Sequence, residues 1–359
     1  MLPRLSRRTL LAAGAAGTSL LLPGRKLLAQ EPLEVGFVYV GPIGDFGWTH
    51  GHEVAREAVA EHFGDKVNTS FVENVAEGPD AERVIRQLAS SGKGLIFTTS
   101  FGFMNPTVRV ARQFPQVKFE HATGYQTAPN VAVYNARFYQ GRAVCGAIAG
   151  HISKSGITGY IGSFPIPEVV MGINAYTLAV RQVNPDAQTK VVWVNSWYDP
   201  GKEGDAAKAL IDQGADIICQ HTDSPAPLQV AEERGVHGFG QASDMRAYAP
   251  KAQLTSILDV WNDYYIERVQ AVLDGTWQTH SVWWGLKEGM VQMAPYGPAV
   301  TPEAAAAGDA MRDGIITGDV HPFEGPIENQ AGETRVAAGE QLSDEALLQM
   351  EWYVRGVQV

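Results

Sequence analysis

Gly41-Pro42-Ile43-Gly44-Asp45-Phe46-Gly47-Trp48-Thr49 follows an apolar run, Leu33-Glu34-Val35-Gly36-Phe37-Val38-Tyr39-Val40. The run is dense enough in apolar residues for a strand covered on both faces. Beyond the stretch, Val54, Ala55, Ala58, Val59 and His62 recur at helical spacing. Three glycines and a proline let the connection turn sharply and bring backbone close to a bound molecule. In a parallel α/β sheet ligands sit at the carboxyl ends of the strands, which presents Asp45, Phe46, Trp48 and Thr49 to the crevice. Taken alone, the stretch also fits an ordinary βα turn whose tryptophan caps the core.

The same unit recurs. Strands are predicted at 67–72, 94–100, 117–121 and 131–135, with helices from Asp80 to near Gly92, from Asn105-Pro106, and over 139–152. A second series follows, with strands at 157–162, 190–195, 215–220 and 236–241 and helices at 167–183 and 202–213. After residue 245 the pattern mixes: a strand at 253–259, a helix at 263–274, an aromatic strand at 281–286, and two helical stretches within 302–359 around a Gly/Pro-rich connection at 318–332. Two sets of βα units imply an α/β fold with two parallel sheets, helices on both faces, and several crossings between lobes.

With 359 residues, 45% of them hydrophobic and 19% charged, the chain is ordinary globular material long enough for two lobes. A net charge of −11 argues against nucleic acid, which calls for a basic stripe. Residues 1–30 read as a twin-arginine export signal: Ser6-Arg7-Arg8-Thr9-Leu10-Leu11, a mild apolar run over 10–22, and Ala29 as a small residue before cleavage. That run is too short and too rich in Ala and Gly to span a bilayer. The expected mature product is a soluble periplasmic protein, with no cysteine placed for lipid attachment. Cys145 and Cys219 lie among apolar neighbours and are expected to be buried free thiols. No C-x-x-C or H-E-x-x-H spacing supports a metal site.

Placed side by side, the strand ends collect Asp45, Trp48, Phe101, Phe103, Tyr125, Trp197, Tyr198, His221, Asp223, Asp244, Trp284 and Lys287. Flat rings across a narrow cleft suit a flat ligand, each stack contributing about 1–3 kcal/mol by analogy with bases on aromatic platforms; any one of these rings could equally be core. Enzyme readings fare worse. There is no G-x-S-x-G, no G-x-x-x-x-G-K-[ST] and no strand-linked G-x-G-x-x-G. His221, Asp223 and Ser224 contain triad residue types, but they are nearly adjacent and lack an oxyanion-hole motif. His121 reads as a packed residue rather than a base.

Taken together, these pieces resemble the basic membrane protein (BMP) family of ABC-transporter substrate-binding proteins, best known as purine nucleoside receptor lipoproteins. The resemblance covers almost the whole mature chain. It is carried by Asp45-Phe46-Gly47-Trp48-Thr49, similar to the family's D-x-x-F-N, and by Tyr160-Ile161-Gly162 with Pro165-Ile166-Pro167. Further pieces are Ser196-Trp197-Tyr198-Asp199-Pro200-Gly201-Lys202, Gln213-Gly214-Ala215-Asp216-Ile217-Ile218, Gly240-Gln241-Ala242-Ser243-Asp244 and Gly285-Leu286-Lys287-Glu288-Gly289.

The resemblance implies a type I periplasmic binding protein, two doubly wound parallel-sheet lobes joined by a three-segment hinge. The lobes are expected at 31–125 with 245–280 and at 126–244 with 281–359. It implies that Trp48 and Trp197 replace the two phenylalanines that sandwich the base. Asp45, Phe46, Thr49, Phe101, Tyr125, Gln241, Asp244 and Lys287 complete the expected ligand-binding set. A ribose-binding aspartate of the family falls at Ala242, and a second family aspartate is replaced around Thr123. A buried ribose that loses a carboxylate partner is left underpaired at about 1–3 kcal/mol. The implied function is therefore a monomeric, periplasmic carrier of a purine base, adenine foremost, that delivers to an ABC permease without catalysis or cofactor. A nucleoside or flavin-like ligand, or a sensor feeding a membrane kinase, are the alternatives.

Overall fold

The computed structural model describes residues 31–44 and 46–359. Residues 1–30, with the expected export signal, lie outside them, as does Asp45. In chain order the elements are β1 (Leu33–Tyr39), α1 (Gly47–Phe63), β2 (Val67–Val72), α2 (Pro79–Ser90), β3 (Leu95–Thr99), α3 (Met104–Ala111), β4 (Lys118–Ala122), β5 (Val131–Ala136) and α4 (Phe138–Ile152). There follow β6 (Ile157–Gly162), α5 (Pro167–Val183), β7 (Gln188–Trp193), α6 (Pro200–Asp212), β8 (Ile217–His221), α7 (Ala226–Arg234), β9 (His237–Gly240) and β10 (Gln253–Asp259). The remainder is α8 (Asn262–Leu273), β11 (Ser281–Trp284), β12 (Val291–Met293), α9 (Pro302–Thr317), β13 (Ile327–Glu328), β14 (Thr334–Val336), α10 (Asp344–Leu348) and β15 (Val357–Gln358).

Two large sheets form. The first has the order β11-β5-β4-β3-β1-β2, and the second β12-β10-β9-β8-β6-β7-β15. Every pairing in the first is parallel, and the second is parallel except for β10 against β12. Central strands are buried because helices cover both faces, β3 at every position, whereas β2 at the sheet edge is partly exposed. Helices α1, α2, α3 and α8 pack with the first sheet's elements, and α4 to α7 with α9 belong to the second. Helices α4 and α5 approach closely because α4 offers Gly146, where a Cβ would lie 2.3 Å from the Tyr176 carbonyl oxygen.

The chain crosses between sheets after β5, after β10 and after β11, which agrees with a three-segment connection. The expected lobe boundaries need correction. β5 belongs to the first sheet, paired with β4 from Phe119↔Val131 to Ala122↔Tyr134. β11 joins the same sheet beside β5, whereas β10 lies in the second sheet beside β9. From the 245–280 segment, α8 and the 277–280 stretch that follows it serve the first lobe, Thr279 donating to the Val131 carbonyl and Val133 N–H to that of His280. On α8, Arg268 Nε donates to Glu120 Oε1 on β4 at 2.6 Å, and Tyr264 donates to the other oxygen at 2.6 Å.

Cys145 and Cys219 are buried free thiols. No helix among the described residues is long and apolar enough to cross a membrane.

Candidate functional site

The carboxyl ends of both sheets face one another, and a slot of about 380 Å³, counting the part open to solvent, lies between them. The first lobe lines it with Val40, Trp48, Ser100, Phe101 and Thr123; the second with Glu168, Trp197, His221, Asp223 and Gln241. Most sit at or just beyond a strand end, where backbone leaves the sheet and side chains turn into the crevice, and Trp48 and Glu168 lie in the first turn of the helix that follows. Three of these connections hold a non-glycine residue at positive φ: Thr123 at 57°, Asn195 at 52° and Ala242 at 60°. Such conformations persist only where the surroundings impose them.

Trp48 is fixed on three sides. Its indole Nε1 donates to the Thr99 carbonyl at 2.7 Å. Its ring meets His52, Phe138 and Trp261 edge-on, with centroids 4.4, 6.0 and 5.4 Å away. Trp197, from the loop after β7, packs against Phe164 at 5.1 Å and donates its indole N–H to Glu77 on the first lobe at 3.3 Å. Two further hydrogen bonds tie the start of α1 to the second lobe: Gly47 N–H to Ser243 Oγ at 2.7 Å and Trp48 N–H to Asp223 Oδ1 at 3.3 Å. Gly47 is required there, since at φ 79° a Cβ would stand 2.7 Å from the Asp223 carbonyl oxygen.

Glu168, His221 and Asp223 of the slot belong to a cluster of ionisable groups that includes the buried Asp259 and Arg142. Burial, with the Asp259 carboxylate adding to it, pushes the Glu168 carboxyl up to about 8. Burial and the Glu203 carboxylate push Asp223 well above the usual carboxylate range. Asp259, at the end of β10, is lifted by burial to about 7, with Arg142 pulling the other way. Burial, reinforced by Arg142, keeps the His221 imidazole neutral, and its Nε2 stands 3.7 Å from Glu168 Oε1. Arg142 is itself buried and donates to Gln241 Oε1 and, at 3.7 Å, to Cys219 Sγ. The slot thus offers a neutral imidazole and two carboxyls poised to hold protons, groups that can both donate to and accept from a neutral heterocycle.

Of the expected ligand set, Trp48, Phe101, Trp197 and Gln241 line the slot. Tyr125 lies beside it in a wider space on the hinge side, 62% exposed and 6.0 Å from Phe101. Phe46 and Thr49 line an outer groove with Tyr198 that shares Trp48 and Asp223 with the slot; Phe46 meets Tyr248 edge-on at 5.0 Å. Asp244 is not a slot residue: it is exposed, paired with Arg246, and accepts from Gln253 Nε2 at 2.8 Å. Lys287 is exposed in the β11–β12 connection, away from the slot lining. Phe103 is core, and Trp284 packs on Tyr264 at 5.5 Å. His121 is buried, with its Nδ1 2.7 Å from the Thr98 hydroxyl. Glu168, Ser100 and Glu77 were not singled out from sequence, although Glu168 follows the β6 strand end and its position alone could have marked it.

This geometry is that of a two-lobed solute-binding protein. The profile described as ABC transporter substrate-binding protein PnrA-like matches residues 33–306, and the chain belongs to that family. A purine-binding protein of Brucella abortus (strain 2308) is 58% identical over 329 residues, covering 92% of this chain and 94% of that protein. A Haloferax volcanii relative, provisionally named an ABC transporter glucose-binding protein, is 37% identical over 91% of this chain and 81% of its own length. Among solved structures, an ABC transporter solute-binding protein from Aeropyrum pernix K1 superposes with a TM-score of 0.71 at 19% identity, covering 88% of this chain and 97% of the other. The chain is a solute-binding component of an ABC system rather than an enzyme, and its partners are a small-molecule ligand and a permease.

Proposed function

We propose that the protein captures a purine base, adenine foremost, between Trp48 and Trp197 and delivers it to an ABC importer. One observation carries the reading: two tryptophans contributed by opposite lobes border one narrow slot whose remaining lining, apart from Val40 and Phe101, is polar. Two indole faces suit a flat heteroaromatic ring, with about 1–3 kcal/mol per stack. Glu168, Asp223 and His221 supply both donors and acceptors, matching a purine edge on which N–H groups alternate with ring nitrogens. The 58% identical purine-binding relative supports the same class.

Capture would proceed by lobe closure, with the α1 start and Trp197 meeting the opposite lobe, and the closed surface would then be read by the permease. We place the protein in the periplasm as a monomer, exported by the twin-arginine route. Native mass spectrometry of the purified mature chain tests the ligand class. A retained mass equal to one purine base supports the proposal. A retained nucleoside keeps the carrier and removes the argument from Ala242, and a retained hexose transfers the reading to that of the Haloferax relative.

A further inference from the structure

The slot does not end at Glu168. It continues into an annex of about 1030 Å³, again counting the part open to solvent, on the hinge side of the cleft. Phe101, Thr123 and Glu168 border both spaces, so they form one connected cleft. The annex wall is largely apolar: Phe138 and Tyr139 from the start of α4, Ile166 and Met171 at α5, Trp283 on β11 and Leu348 on α10.

A bare purine ring fills a slot between two indoles and leaves the annex empty. An empty space with apolar walls forfeits dispersion contacts and favours an apolar guest over water. Of the polar side chains on the annex wall, Thr123, Asn135 and Tyr139 are already engaged, while Ser281 and Tyr125 are exposed to solvent. The Thr123 hydroxyl donates to the Ala122 carbonyl at 2.7 Å, Asn135 Oδ1 accepts from the Ala136 N–H at 2.7 Å, and the Tyr139 hydroxyl accepts from Arg137 at 3.2 Å. A sugar placed here would have to compete for those partners, whereas a hydrocarbon group would not.

Glu168 stands at the junction, its side chain 16% exposed. A ring edge that meets Glu168 therefore directs its substituent into the annex. An alkylated exocyclic amine keeps one N–H for that carboxyl and sends its carbon group past it.

Resting on the purine reading, we propose that the cleft is bipartite and that the annex takes an apolar group carried on the exocyclic nitrogen of the purine, which makes N6-alkyl and N6-arylmethyl adenines ligands of this protein.

The test is calorimetric titration of the mature chain with adenine, N6-benzyladenine and adenosine, repeated on Met171→Trp and on Leu348→Glu. Met171→Trp fills the annex; Leu348→Glu places a charge at its half-exposed rim and is tolerated by the fold. N6-benzyladenine is expected to bind at least as tightly as adenine. Each variant should weaken it by about tenfold while moving adenine by less than about threefold. Heat with adenine but none with N6-benzyladenine overturns the annex while leaving the purine reading intact, as does equal weakening of both ligands by Leu348→Glu. No heat with adenine overturns the purine reading and this inference with it.

Discussion

The indole N–H of Trp197, on the second lobe, meets Oε1 of Glu77, on the first, across 3.3 Å. The same oxygen accepts the Ser100 hydroxyl at 2.5 Å and the Gly102 N–H at 3.0 Å. A slot wall contributed by one lobe is therefore anchored to a carboxylate of the other, and that carboxylate is held in place by the β3–α3 connection.

If this contact holds the cleft shut, Glu77→Ala should speed ligand release with little effect on stability. A partly exposed charge-assisted hydrogen bond is worth about 1 kcal/mol, so a rise of roughly fivefold in the dissociation rate is expected. Stopped-flow tryptophan fluorescence reads it directly. An unchanged rate would mean that closure does not depend on this pair.

Trp48→Ala and Trp197→Ala should each weaken adenine binding by about 5- to 150-fold, the equivalent of roughly 1–3 kcal/mol of lost stacking. Trp48→Phe keeps a ring but removes the donor to the Thr99 carbonyl, which fixes the plane of the indole. It should therefore fall between wild type and Trp48→Ala. Equilibrium titration of the three variants checks the order.

Two buried carboxyls, Glu168 in the slot and Asp259 electrostatically coupled to it, predict a pH slope for the empty protein. Glu168 rises from an ordinary 4.5 to about 8, and Asp259 from 3.8 to about 7. Both bind a proton more tightly when folded. The resulting stability is complete below the ordinary values and is lost as pH climbs through the folded ones. Thermal midpoints should therefore fall between about pH 5 and pH 8, and Glu168→Gln should flatten that slope. A midpoint rising over this range in the wild type, or an unaltered slope in the variant, would contradict the assignment.

Much of this was legible in the sequence. Alternating βα units announced two parallel sheets, and the strand-end rule picked out Trp48, Phe101, Trp197, His221 and Asp223, which line one slot with Gln241 from the family resemblance. What failed was non-local. Nothing within 131–136 or 253–259 states which sheet those strands join, because each is buried along nearly its whole length and the choice is made by partners distant in sequence. The strand-end rule also collected Asp244 and Lys287, which do not line the slot; in the fold Asp244 is taken up by Arg246 and Gln253. Glu77 escaped notice because its role arises only when Trp197, from the opposite lobe, comes within hydrogen-bond reach.

The Glu120–Arg268 pair tests the lobe assignment of α8. Both side chains are buried, and Trp277 Nε1 also donates to Glu120 at 2.6 Å. Removing one partner strands a charge in the core, so Arg268→Ala should cost about 3–5 kcal/mol in chemical denaturation. A loss under about 1 kcal/mol would show that α8 is not anchored to the first sheet through this pair.

The central claim is that the two tryptophans enclose a purine base, and intrinsic fluorescence during titration tests it most directly. Adenine added to the mature chain should quench the tryptophan emission and saturate at one equivalent, and Trp197→Ala should remove most of the change while glucose leaves the signal flat. Saturable quenching by glucose with no response to adenine would contradict the account.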